Sequence, residues 1–143
     1  MQKTIITQIS IVVAVLAASI GIALAQNIRL DDLENRNGIY FKRDSNAPFT
    51  GEVRVGTRGG EGMIHDGRRH GTWTKYFPNG VLLQKQTYKD GFLDGPWLIF
   101  YVTGQLRSEK TYKGGKLEGL WLNYSVKGEL VSVANYKDGI EVD

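Results

Sequence analysis

The sequence predicts an all-β protein: an elongated antiparallel sheet of stacked β-hairpins, preceded by an N-terminal hydrophobic signal helix. Three observations carry that expectation. A 24-residue unit recurs without a slip, setting Gly67, Gly91, Gly115 and Gly139 in step with Gly71, Gly95 and Gly119 and with Gly80, Gly104 and Gly128. Trp73, Trp97 and Trp121, the only tryptophans of the chain, keep the same beat. Between the glycines the residues are aromatic and β-branched, with no helical spacing, as strands require. A fixed period of this length marks stacked modules that complete one another's cores.

Taken in order, the chain opens with Lys3 as its one charged side chain before Arg29, and Ile9 to Ala25 is almost wholly apolar. The run closes on Ala23-Leu24-Ala25, small residues spaced as a signal peptidase reads them, so cleavage after Ala25 and export to the periplasm or medium are expected. The competing expectation is an uncleaved helix anchoring the chain in the inner membrane, because the uncharged stretch just reaches the roughly 20 residues a span needs. The remaining 118 residues (143 − 25) fit one domain, with a formal charge of +2 once Lys3 is removed from the +3 of the whole chain. Acids and bases are interspersed, which argues against nucleic acid as a partner. The chain contains no cysteine, so neither a disulfide framework nor a lipidated cysteine is open to it.

Residues 26–37 read as a linker and 38–66 as a divergent first repeat, or cap, in which Gly51 to Gly60 copies the spacing of Gly71 to Gly80. Three full units follow, 67–90, 91–114 and 115–138, with a partial one at 139–143. Inside each unit, Pro78-Asn79-Gly80 becomes Val102-Thr103-Gly104 and Val126-Lys127-Gly128. Only the glycine is kept, which favours a three-residue loop with glycine at the left-handed position. Such a loop pairs Phe77 with Val81. Counting on from it places Tyr76, Leu82 and Tyr88 on one face, with Phe100, Leu106 and Tyr112, then Tyr124, Leu130 and Tyr136, as the repeat core. Lys75, Lys85, Glu109 and the tryptophans are expected on the other, more polar face.

Tyr88-Lys89-Asp90-Gly91-x-x-Asp94-Gly95-x-Trp97-x-x-Phe100, then Gly104-Gln105-Leu106 and Tyr112, resembles the bacterial variant of the MORN repeat, the membrane occupation and recognition nexus. The resemblance spans Gly67 to Gly139, and more weakly Tyr40 to Asp66, where Ala47-Pro48-Phe49-Thr50-Gly51 is similar to the leader that often precedes these repeats. It implies a noncatalytic scaffold of hairpins. Some members of the group are implicated in lipid or partner binding, and bacterial members often carry an antitoxin label.

No catalytic constellation stands out among the residues. His65 and His70 flank a turn with no cysteine to join them, too few ligands for a transition metal. Asp90 and Asp94 become Gly114 and Glu118 one unit on, which suits turns better than a calcium cage. No serine sits in a nucleophile elbow, and the glycines lack a phosphate-loop setting. The expectation is therefore no enzyme, no metal and no cofactor. Two candidate binding surfaces remain: the row Trp73, Trp97 and Trp121, which alternatively seals the sheet by packing on the turns, and the basic cluster Arg68, Arg69, His70 and Lys75 near Lys85 and Lys89. The expected function is a protein-binding scaffold, of immunity or assembly type. Binding of an envelope glycan or anionic lipid surface is the alternative, and open sheet edges leave a route to self-association.

Overall fold

In the computed structural model, residues 28–57 and 59–143 are described; the expected export segment, 1–25, lies outside them. A 3-10 turn, Leu30–Asp32, leads into strands β1 (Leu33–Arg36) and β2 (Ile39–Lys42), which pair as a small hairpin. Then come β3 (Gly51–Val55), β4 (Gly60–His65), β5 (Arg68–Tyr76), β6 (Leu82–Lys89), β7 (Phe92–Phe100) and β8 (Leu106–Lys113). The series ends with β9 (Lys116–Leu117), β10 (Gly119–Tyr124), β11 (Leu130–Lys137) and β12 (Ile140–Val142). β3 to β12 form one ten-stranded antiparallel sheet in which sequential strands are neighbours, β9 and β10 both lying against β8. The architecture is the expected ribbon of hairpins. Residues 33–36, read from sequence as linker, are a correction: they form β1, and Leu33 is buried.

The three-residue loops have the expected geometry three times over. Phe77, Tyr101 and Ser125 donate their N–H groups to Val81, Gln105 and Glu129 at 2.7–2.8 Å, and Gly80, Gly104 and Gly128 close each loop at φ 83°, 90° and 86°. The other ends of the strands are tighter. At Asn37-Gly38, Asp66-Gly67, Asp90-Gly91, Gly114-Gly115 and Asp138-Gly139 both residues have positive φ, the two-residue turn whose twist matches a hairpin. The last three turns are tied to the previous unit: Gly91, Gly115 and Gly139 donate to the carbonyls of Arg69, Leu93 and Leu117 at 2.7–2.9 Å.

The face assignment from sequence needs a correction. Tyr76 faces Leu82 as expected, but Lys75 then faces Gln84, so Leu83 is an extra, unpaired residue. Arg107 and Val131 are the extra residues of the next two hairpins. Each is a β-bulge, and one added residue reverses every later side chain. Tyr76, Leu82, Phe100, Leu106, Tyr124 and Leu130 therefore share one face, with Lys85 and Glu109 among them. Tyr88, Tyr112 and Tyr136 move to the opposite face, where the tryptophans stand.

Burial is uneven along the ribbon. The core consists of Leu33, Phe49, Val53, Ile64 and Trp73, where the N-terminal hairpin folds over the tryptophan face of β3, β4 and β5. In β4 every second residue is buried, Gly60, Gly62 and Ile64, as a half-covered strand should read. Leu130 is 55 % exposed and so is no core residue, a further correction to the expected set. Phe77, Tyr76 and the other repeat residues of the leucine face are half-buried at best, because among the described residues no second layer covers that face.

Gly62 makes the core possible. A methyl group there would overlap the six-membered ring of the Trp73 indole. Gly62→Ala should therefore cost about 1–3 kcal/mol by overpacking. Urea unfolding checks this, with Glu61→Ala, an exposed neighbour, expected to stay within about 0.5 kcal/mol of wild type.

Candidate functional site

The tryptophans form a ladder that crosses the strands. Trp73 pairs with Gln86, Gln86 with Trp97, Trp97 with Lys110, and Trp121 with Ala134. Leu122 faces Glu109 across the β8 and β10 junction, which sets Trp121 beside Lys110. With strands about 4.8 Å apart, indoles recur at roughly 10 Å and one side chain fills each of the two gaps, Gln86 and then Lys110, with Ala134 beyond the last indole. Tyr88, Tyr112 and Tyr136 flank the row, their rings 6.0, 5.8 and 6.0 Å from the indoles of Trp73, Trp97 and Trp121. The bulges place them there. Were the same residues paired without a bulge, each tyrosine would sit on the far side of the sheet from its tryptophan.

Lys110 is held between two indoles, its Nζ 4.0 Å from the Trp121 ring centre and 5.2 Å from that of Trp97. Burial lowers its pKa, while the ring faces attract the charge. The indole N–H of Trp121 donates to Ser108 Oγ at 2.9 Å and Asn123 Oδ1 at 3.0 Å, and that of Trp73 to the His70 carbonyl at 3.3 Å. Trp97 Nε1 is buried with no acceptor among the described residues. Trp73 is 4 % exposed, whereas Trp97 and Trp121 are half-buried.

The basic cluster read from sequence does not come together. Arg69 and Lys75 lie on the tryptophan face, while Arg68, His70, Lys85 and Lys89 lie on the other. Arg69 stacks 4.6 Å over Trp73 and 5.5 Å over Tyr88, and donates to the hydroxyls of Tyr88 at 3.3 Å and Tyr40 at 3.4 Å. Burial works against its charge, but these hydrogen bonds and the two phenol oxygens more than offset it and leave its pKa raised. The rings of His65 and His70 are 5.8 Å apart, each near one aspartate at 3.7 Å, Asp66 and Asp90. Among the described residues no three metal-ligating side chains converge. Asp90 forms a turn at φ 51°, and the Asp94 carboxylate accepts from the Gly114 N–H at 3.2 Å. Glu118 repeats this toward Asp138 at 3.0 Å.

Two surfaces escaped sequence reasoning. A cleft of about 420 Å³ lies beside the cap, lined among others by Leu30, Val55, Arg69, Trp73, Lys75 and Leu83. Segments far apart in the chain build it, so no local pattern announces it. An exposed apolar patch covers the leucine face of the last unit: Leu120 53 %, Val133 51 %, Ile140 70 % and, at the bulge, Val131 67 % exposed. Here the sequence did hold a signal. One unit earlier the same positions are Pro96, Glu109, Lys116 and Arg107.

The family described as MORN repeat variant matches residues 69–90 and 93–113. Residues 69–113 therefore carry two MORN repeats. No curated protein and no solved structure matches the chain. The two matched MORN units run from β5 to β8 and contain Trp73, Trp97 and the bulges at Leu83 and Arg107. The unit at 115–138 repeats their tryptophan, loop and bulge in phase.

Proposed function

We propose that this MORN repeat protein is an exported, noncatalytic scaffold that binds a protein partner through the leucine face of its last unit. One observation carries the reading: Val131, Val133 and Ile140 replace Arg107, Glu109 and Lys116 on a face that nothing among the described residues covers. Contiguous exposed apolar surface is disfavoured on a monomer unless it is used, and the last unit alone is apolar at all three positions, the first having Leu83, Lys85 and Phe92 there. Export rests on the apolar run closing at Ala23-Leu24-Ala25, and an immunity or assembly role in the periplasm is the form we favour. Binding to an anionic envelope surface is the second reading, supported by Lys89, Lys113 and Lys137, which recur on the same face at each tight turn. Sugar stacking on the tryptophans is weaker, since Lys110 already occupies the gap between Trp97 and Trp121.

The test combines Val131→Glu with Val133→Lys. Both positions are exposed, so stability should stay within about 1 kcal/mol of wild type. Recovery of a stoichiometric partner from periplasmic extract should fall at least about tenfold, as for loss of apolar contacts at an interface centre. Equal recovery by wild type and variant, or no stoichiometric partner at all, rejects the reading. Binding of anionic vesicles that survives the substitutions transfers the assignment to the second.

A further inference from the structure

The cleft beside the cap contains a charge without a counterion among the described residues. Arg69 is half-buried against Trp73, and its hydrogen bonds go to neutral phenols. Lys75 lines the same space. The one acid on the rim, Asp31, is engaged by Arg29 at 3.5 Å. Among the described residues no carboxylate pairs with Arg69 or Lys75. A desolvated cation of this kind attracts an anion, and the planar guanidinium suits a carboxylate, with which it can form paired hydrogen bonds. The walls are apolar, Leu30, Val55 and Leu83, over a floor of Trp73. Gln86, buried, adds a neutral hydrogen-bonding group. A few convergent polar groups in an otherwise apolar hollow are the usual make-up of a small-ligand site.

We propose that this cleft binds a small amphipathic anion, a carboxylate carried on an apolar body, with the carboxylate at Arg69 and Lys75 and the apolar part against Leu30, Val55 and Leu83. The site is separate from the patch on the last unit, and neither depends on the other. The bound group is either a free acid or the C-terminal carboxylate of an extended peptide, which present the same chemistry.

The probes are decanoate, decanol and decyltrimethylammonium below their aggregation concentrations, and an acetylated Ala-Ala-Leu peptide with a free or amidated C-terminus. Nitrogen-15 NMR on the full protein follows the Trp73 indole N–H and the Gln86 side-chain amide. Saturable shifts of both with decanoate or the free-acid peptide are expected, whichever binds tighter identifying the source. The uncharged and amidated forms should bind at least about tenfold more weakly, as for loss of a charge-assisted hydrogen bond. Arg69→Gln and Lys75→Gln should each weaken the acid, and Arg69→Lys should retain part of the binding. Should Arg69→Gln fail to fold, Lys75→Gln and the salt dependence of wild-type binding decide. Equal binding of decanoate, decanol and the quaternary ammonium, shifts confined to other residues, or no shift at millimolar acid overturns the proposal.

Discussion

Replacing Trp73 with alanine is expected to cost about 3–5 kcal/mol, the range for deleting a buried indole from a packed core. Trp73 is 4 % exposed, lies on Gly62, and belongs to the cluster with Leu33, Phe49, Val53 and Ile64. It also supports Arg69, whose guanidinium would lose one of its two ring faces. Trp121→Ala, at a half-buried site farther along the same ladder, should cost distinctly less. Urea denaturation of both variants checks the order. Equal losses would mean that the core is shared evenly along the ribbon and not concentrated beneath the cap.

Deleting Thr111 should be nearly as damaging, although its side chain is exposed. Thr111 stands opposite Pro96 and Tyr112 opposite Gly95, so in an otherwise unchanged ladder the removal brings Tyr112 opposite Pro96. Tyr112 would then turn away from Trp97, and Lys113 would turn toward it. Losing the burial of one tyrosine and its ring contact amounts to about 2–4 kcal/mol. Deleting Arg107 instead removes the unpaired residue, leaves every later pair in register and should cost distinctly less. Nuclear Overhauser contacts between the Trp97 and Tyr112 rings, kept without Arg107 and lost without Thr111, would report the difference directly. A Thr111 deletion that keeps those contacts and its stability would show that strand alternation does not set the face.

The strand order, the three-residue loops and their pairing of Phe77 with Val81 were all legible before any coordinates, because each is a local consequence of glycine spacing. The tight turns were legible too, though less fully used: Asn37-Gly38 and the Asp-Gly pairs at 66–67, 90–91 and 138–139 are the strongest short-range hairpin signal a sequence carries. The bulges were not. A residue present in every unit is already counted in the 24-residue period, so Leu83, Arg107 and Val131 leave the repeat intact while reversing the face of the tyrosines beyond them. For that reason the tryptophans, expected apart from the tyrosines, stand against them.

The candidate sites divide in the same way. The departure of Val131, Val133 and Ile140 from their charged counterparts could be read by aligning the units, because it concerns identity at a fixed position. The cleft could not, since Leu30, Val55 and Leu83 meet only after the N-terminal segment has returned across the sheet.

By itself the sequence determined the periodic scaffold: which residues are strands, where the chain turns, and that one unit repeats into the next through neighbours only. Tertiary structure alone decided which face is covered, that Trp73 and not Leu130 is core, and where Arg69 lines a hollow. The physical reason is range. Turn and strand preferences act over a few residues and recur with the repeat, whereas burial depends on what packs against a face, and here the covering hairpin comes from outside the repeat altogether.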